Sequence, residues 1–199
     1  MTQSQAIPFI LASQSPQRKK ILRRLKIPFK IIPSTIRETD PDKIHHFNAK
    51  KLVTDLAIKK AKAVAKKFKN RPCIILGADT LVVCNKKILG KPKSEEHARK
   101  MLTLLSGRAQ QVLTGVCLIK NPEGTLKKGC SVTTLKFKKL DDKTIRHLAK
   151  KNRDKSGSYA IQKMKDQNVR IIKGDLDNVI GLPLALVKKL ISFYGLNIL

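Results

Sequence analysis

The most constraining feature of this sequence is the apolar run Cys73–Cys84, which carries a glycine and an aspartate near its middle. Its apolar and β-branched residues predict a buried central strand. A lone carboxylate inside such a strand is costly, so Asp79 needs a compensating partner. A cation, a metal ion or a set of donors would indicate a functional site, whereas a hydrogen bond to a neighbouring loop would be structural. Gly77 lets a backbone or a ligand approach closely, which favours a site.

The rest of the chain alternates short apolar runs with amphipathic segments, without a strict βαβ order. The patterns predict strands at residues 9–12, 29–32, 88–89, 111–119, 130–137, 158–162 and 169–172, and helices at 17–25, 49–68, 94–105, 141–151 and 182–193. We therefore expect an α/β fold with a mixed central sheet flanked by helices. Residues 1–199 are predicted to form a single domain, with residues 1–8 as a loose N-terminal extension.

Charge and cysteine usage narrow the class of protein. Lysine and arginine total 43 against 14 acidic residues, a net charge of +29 that attracts polyanions in general. Aromatic residues make up only 4% and tryptophan is absent, so specific nucleic-acid binding is not expected. No apolar stretch is long enough for a membrane span or an export signal, which predicts a cytoplasmic protein without a membrane partner. The four widely spaced cysteines predict buried, reduced and inert thiols.

The turn from the first predicted strand into the first predicted helix is a candidate anion site. Ser15 is a good N-cap and Pro16 a good first helical residue, and the turn also carries Ser13 and Arg18. Free N–H groups, two hydroxyls and a guanidinium would bind an anion there. An ordinary capped surface helix explains the same residues equally well. Neither a P-loop nor a Rossmann glycine motif occurs in the chain.

Two lysines are further candidates. Lys60 lies four residues after Leu56 and four before Val64, on the apolar stripe of the long predicted helix. It either reaches past that stripe to solvent or points inward to a phosphate. Lys91 follows Gly90 and precedes Pro92, so it lies on a constrained turn.

These segments together resemble one known family. The chain carries, in this order, ILASQSPQR (10–18), KAKA (60–63), GADT (77–80), ILGKP (88–92), LSGR (105–108), VLTG (112–115) and NVIGLP (178–183). The series is similar to the Maf family over about residues 9–191. The resemblance implies an ITPase-like α/β fold with two lobes around a cleft. It also implies nucleoside triphosphate pyrophosphatase activity and a divalent metal requirement, Mg²⁺ or Mn²⁺.

The resemblance also assigns roles to individual residues. It implies that Asp79 is the general base and that Lys60 and Lys91 face the phosphates. It implies that Ser13, Ser15 and Arg18 form the phosphate-binding loop. It also implies that Glu38 and Asp79 bind the metal, and that Thr80 and Gln162 select the base.

Two positions depart from the family pattern. Gln17 stands where the family commonly has an arginine tied to base specificity, and Lys163 stands where glycine is usual. Thr80 with Gln162 resembles the branch that acts on dTTP and UTP, while Gln17 leaves the base preference open.

The leading functional hypothesis is hydrolysis of a nucleoside triphosphate between the α- and β-phosphates, with dTTP, UTP or modified nucleotides as substrates. The alternative is a regulator of septum formation that binds nucleotide or nucleic acid without turnover. The sequence leaves the oligomeric state open, with a homodimer among the possibilities.

Overall fold

The computed structural model of the protein describes residues 7–36, 48–151 and 168–195. Seven strands lie in these ranges: β1 Phe9–Leu11, β2 Phe29–Ile31, β3 Cys73–Cys84, β4 Lys87–Leu89, β5 Ala109–Asn121, β6 Thr125–Phe137 and β7 Val169–Lys173. The α-helices are α1 Pro16–Leu22, α2 Ala49–Ala65, α3 Glu95–Leu105, α4 Asp142–Lys151, α5 Leu176–Ile180 and α6 Leu184–Ser192. The predicted strand at 158–162 lies outside the described residues.

The strands form one mixed sheet in the order β2-β1-β3-β5-β6-β7, with β4 added beside β3. β1 pairs in parallel with both β2 and β3, whereas β4, β5, β6 and β7 pair antiparallel to their neighbours. The prediction of a mixed α/β sheet flanked by helices is confirmed.

Strand β3 has two different edges. On one side β5 pairs with it from Cys73 to Val83. On the other side β1 pairs with residues 74–76 and β4 with residues 82–84. Residues 77–81 therefore have no described strand on that second side. This open segment, which we call the β3 gap, contains Asp79 and Thr80.

Hydrophobic cores lie toward both ends of β3. Toward its first end, Ile74 and Leu76 pack with α1 and α6 on one face of the sheet, while Ile75 packs with α2 on the other. Toward its second end, Val82 and Cys84 pack with α3 and α4. Along β3, the β3 gap lies between these two groups of core residues.

Two glycines bring α2 unusually close to the sheet. A Cβ atom at Gly77 would lie 2.3 Å from the carbonyl oxygen of Ala57, and one at Gly115 would lie 2.4 Å from that of Val53. Real side chains do not approach so closely, so only glycine allows the helix backbone to rest on β3 and β5. The close approach that Gly77 predicts is therefore made by the backbone of α2.

Three predicted boundaries are wrong for identifiable reasons. The predicted helix 182–193 starts at Leu184, because Gly181 caps the short helix α5 with a φ of +116° and Pro183 begins a new helix. The predicted strand 130–137 begins earlier, at Thr125, since the exposed lysines 127 and 128 also belong to β6. The α-helical part of the predicted helix 49–68 ends at Ala65, and the chain continues as a short 3₁₀ turn.

The N-terminal segment joins the fold before β1 begins. Ile7 packs against the core, and the Pro8 carbonyl accepts a bond from the Ile74 amide at 2.9 Å. Residues 1–6 of the expected extension lie outside the described residues. Across the described helices, none is both long and apolar enough to cross a bilayer.

All four cysteines are free thiols. Cys73, Cys84 and Cys117 are buried as predicted, but Cys130 is partly exposed. It lies in the less covered part of β6, where most positions before Leu135 are only partly buried.

Candidate active site

The predicted anion site lies at the start of α1. Ser15 is the N-cap and its Oγ accepts from the Arg18 amide at 3.4 Å, which confirms the predicted helix start. Ser13 Oγ accepts twice, from the Ser15 amide and from the Arg18 guanidinium, each at 3.2 Å. Both lone pairs of the Ser13 hydroxyl are therefore used, and its proton is left to donate. A donor in this position suits the oxygen atoms of a phosphate.

Arg18 connects three segments of the chain. Besides Ser13, its Nε donates to the Gly181 carbonyl at 2.8 Å and its Nη2 to Thr80 Oγ1 at 3.1 Å. These bonds to oxygens of three separate segments fix the guanidinium in place. The arginine is held in place by the fold and brings a positive charge to the β3 gap.

Asp79 forms a buried ion pair. Its Oδ1 accepts from the Lys60 ammonium, and only about a tenth of either side chain is exposed. Lys60 therefore points inward, to the Asp79 carboxylate, while its predicted contact with a phosphate stays a prediction. The Lys60 ammonium compensates the negative charge of Asp79, which would be costly in an apolar strand without a partner. Because the close packing at Gly77 holds α2 against β3, it also sets the position of Lys60 relative to Asp79.

A chain of hydrogen bonds runs from Arg18 into the interior. Thr80 Oγ1 lies 3.0 Å from Thr114 Oγ1, and Thr114 Oγ1 donates to the Asn178 carbonyl at 3.0 Å. Thr114 and Asn178 have no exposed surface. The Asn178 side chain donates to the Val112 carbonyl at 3.0 Å and to Thr133 Oγ1 at 2.9 Å, which fixes it between β5 and β6.

Sequence reasoning placed Thr114, Asn178 and Gly181 inside motifs but gave them no role. A signal was present, because a buried threonine or asparagine in an apolar segment must find hydrogen-bond partners. Those partners lie between 34 and 163 residues apart in sequence, and spacing alone does not reveal such pairs.

The remaining predicted site residues are Lys91, Gln17, Glu38 and Gln162. Lys91 is exposed and follows β4, whose last pair places Leu89 opposite Val82 beside the β3 gap. Gln17 is the second residue of α1 and is partly exposed. Glu38 and Gln162 lie outside the described residues, so their predicted roles stay predictions.

The structure offers a limited set of metal ligands. Within the described ranges, no cluster of three or more histidine, cysteine, aspartate or glutamate residues could hold an ion. Asp79 is the carboxylate at the β3 gap, and one of its oxygens is bonded to Lys60. The described residues by themselves do not fit a resident divalent ion.

Comparison with known proteins finds relatives along nearly the whole chain. A family model described as Maf-like protein matches residues 8–193. The chain is 39% identical over 186 residues to a protein of Elusimicrobium minutum named dTTP/UTP pyrophosphatase, covering 94% of this chain and 98% of that protein. Proteins of the same name from Akkermansia muciniphila and Ruminiclostridium cellulolyticum are 41% and 42% identical, over 94% and 88% of this chain and 97% and 90% of theirs. The ordered motifs, the buried lysine–aspartate pair and the match along nearly the whole chain lead to one conclusion: this protein belongs to the Maf family.

Proposed function

We propose that the protein is a nucleoside triphosphate pyrophosphatase that acts on dTTP and UTP. The observation that carries the proposal is the Lys60–Asp79 pair in the β3 gap, together with Arg18, which bonds to the next residue of the strand, Thr80, and to Ser13. A triphosphate needs both an activated water and a cationic environment, and these residues supply the two requirements around one segment of β3. The names of the relatives supply the nucleotides dTTP and UTP.

The proposed reaction is a hydrolysis at the α-phosphorus. A water oxygen forms a new bond to that phosphorus while the bond to the oxygen bridging the α- and β-phosphates breaks. Asp79 accepts the proton of the attacking water, and pyrophosphate leaves with the bridging oxygen. Lys60, Lys91 and Arg18 stabilise negative charge on the phosphates, and the Ser13 hydroxyl donates to one of their oxygens.

The required divalent cation is proposed to arrive bound to the substrate phosphates. Mg²⁺ in phosphoryl-transfer sites is held mainly by the substrate phosphates and by one or two carboxylates. We propose that Mg²⁺ or Mn²⁺ enters bound to the triphosphate, and that the carboxylates of Asp79 and Glu38 are its protein ligands. This assignment is consistent with the small number of acidic ligands in the described site.

The remaining parts of the proposal concern the whole chain. We propose a single domain over residues 1–199, working in the cytoplasm, where the nucleotide pool lies. The free thiols are typical of a reducing compartment. A homodimer stays a prediction.

Hydrolysis in ¹⁸O-labelled water tests the proposed function. UTP or dTTP with Mg²⁺ should yield monophosphate and pyrophosphate, and mass spectrometry should find the label in the monophosphate only. Label in the pyrophosphate would mean attack at the β-phosphorus, and release of inorganic phosphate with UDP would mean a different bond is cut. Either result would overturn the proposal.

The net charge of +29 favours a second candidate, a nucleic-acid-binding regulator. Binding that comes only from surface charge is insensitive to sequence and is lost steeply with salt. We expect DNA binding to disappear between about 50 and 200 mM salt, where affinity carried by several phosphate contacts falls by orders of magnitude. A sequence-selective complex at physiological salt, without pyrophosphate release, would favour the regulator.

A further inference from the structure

The hydrogen-bond chain from Arg18 to Asn178 has a fixed direction. A guanidinium can only donate, so Arg18 donates to Thr80 Oγ1. A carbonyl can only accept, so Thr114 donates to the backbone oxygen of Asn178. Each threonine hydroxyl has one proton, and that of Thr114 is used. The 3.0 Å contact between the two hydroxyls is therefore a bond from Thr80 to Thr114.

Neither end of this chain can reverse its role. The Asn178 carbonyl is buried, and its position is fixed by the bonds of its own side chain to β5 and β6. Thr114 is fully buried as well, so water cannot replace either partner. Arg18 is held from two further sides, by Ser13 and by the Gly181 carbonyl. The direction of the bonds is a property of the folded protein.

The consequence lies at Thr80, which is partly exposed at the β3 gap. Its proton is committed to Thr114 and one of its lone pairs to Arg18. One lone pair remains, so this hydroxyl can accept a hydrogen bond from a ligand but cannot donate one. A phosphate oxygen is itself an acceptor and cannot bind there. The group that contacts Thr80 must carry a hydrogen.

Thymine and uracil share such a group. Both carry a donor N3–H between two carbonyls, whereas cytosine presents an N3 without hydrogen at the same place. The 2′-hydroxyl is an alternative donor in UTP, but dTTP lacks it, and the 3′-hydroxyl is present in CTP as well, so it does not distinguish thymine and uracil from cytosine. The relatives are named for both nucleotides, so the feature common to dTTP and UTP is the better match.

We propose that Thr114 and Asn178 are positioning residues that hold the Thr80 hydroxyl as an acceptor for the N3–H of the base. They thereby select thymine and uracil over cytosine. This inference rests on the proposed function and deepens it. Thr80 contacts the base, while Thr114 acts only through the direction of its hydrogen bond.

The test compares kcat/KM for UTP and CTP in the wild type, Thr114→Val and Thr114→Ser. Valine matches the shape of threonine but accepts no bond, so the Thr80 proton is released and can be donated to N3 of cytosine. The Asn178 carbonyl also accepts from the Gly181 amide at 3.1 Å, so this carbonyl keeps a donor in the valine variant. Circular dichroism and the melting temperature verify folding.

We expect the wild type to prefer UTP by about 100-fold or more, as sites that hydrogen-bond their substrate do. Thr114→Val should lower this ratio at least about tenfold, and Thr114→Ser should restore it. A general structural effect would lower both substrates together and leave the ratio unchanged. An unchanged ratio in a folded valine variant would overturn the inference.

A second measurement uses the wild type alone. UTP methylated at N3 lacks the donor and should be hydrolysed at least about 100-fold more slowly than UTP, while UTP methylated at C5 controls for the added methyl group. Undiminished hydrolysis of the N3-methyl nucleotide would overturn the inference. The inference would also be overturned if 3′-deoxy-UTP, and not the N3-methyl nucleotide, were hydrolysed more slowly, because Thr80 would then contact the sugar. Absence of pyrophosphate release from both UTP and dTTP would remove the proposed function itself, whereas turnover without N3–H dependence removes only this inference.

Discussion

Asp79 and Thr80 are neighbours on β3, yet their side chains lie on opposite faces of the sheet. Asp79 meets Lys60 of α2 on one face, and Thr80 meets Arg18 of α1 on the other. Successive strand residues alternate between faces, so a single dipeptide supplies both groups. The faces meet at the β3 gap, where β1 has ended and β4 has not begun. The proposed general base and the proposed base-selecting hydroxyl therefore lie on one strand.

Asp79→Asn should abolish hydrolysis and also lower stability. The amide cannot accept the proton of water, so kcat should fall by more than about 100-fold. The variant also leaves the Lys60 ammonium without its counter-charge, at a cost of up to about 3 kcal/mol, reduced where the lysine reaches solvent. Pyrophosphate release and thermal unfolding measure the two effects.

The double variant Asp79→Asn with Lys60→Met separates these effects. Methionine removes the buried charge and keeps an apolar chain of similar length, so the melting temperature should recover while hydrolysis does not. Recovery of activity with stability would show that Asp79 has only a structural role.

Gly77→Ala should damage both the fold and the site. The new methyl group would lie 2.3 Å from the Ala57 carbonyl oxygen and would push α2 from the sheet, a strain of about 1–3 kcal/mol. Because α2 carries Lys60, a shift near 1 Å should also reduce kcat by about 10²-fold.

Gly129→Ala is the matched control. Its methyl group would meet only the end of the Leu186 side chain, at 2.9 Å, and that side chain can rotate away. Denaturant unfolding should separate the two variants clearly. Equal stability and equal kcat would mean that the contact of α2 with β3 does not position Lys60.

The sequence allowed Asp79 and Lys60 to be singled out because each breaks a local pattern, a charge in an apolar strand and a lysine on an apolar stripe. It also placed β3 at its observed bounds, since apolar and β-branched residues fill it. It did not reveal that the two residues pair, because they come from different elements. Thr114 and Asn178 break their patterns less visibly, as hydroxyl and amide groups are common in strands and turns. Their significance depends on bond direction, which exists only in three dimensions.

Gln17→Arg is expected to sharpen base preference. Gln17 lies on the first turn of α1, one residue before Arg18, and is partly exposed. Glutamine can both donate and accept, whereas arginine brings a permanent charge and donors only. The kcat/KM values for dTTP and UTP should rise relative to GTP in the variant. Identical ratios in the two proteins would place Gln17 outside the specificity site.

Cysteine labelling should follow burial. Burial raises the pKa of Cys117 to about 12, an effect that Lys62 and Lys128 only partly offset. At pH 8 about one Cys117 thiol in ten thousand would be the reactive thiolate. Cys130 is partly exposed, although burial also raises its pKa. Brief treatment of the native protein with iodoacetamide should modify Cys130 first, and the other three only after unfolding.

Mass spectrometry of the labelled peptides checks this order, and Cys130→Ser provides the control by removing the early label. Rapid native labelling of Cys117 would contradict the packing of β5.

The bond between Arg18 and Gly181 spans 163 residues and has a consequence for synthesis of the protein. Arg18 leaves the ribosome early, but the carbonyl that holds its Nε is made near the end of the chain, as is the Asn178 carbonyl that orients Thr114. A nascent chain that stops before residue 178 lacks both of these carbonyls. The final position of the arginine and the direction of the threonine hydrogen bonds are therefore set only when the last part of the chain has been made.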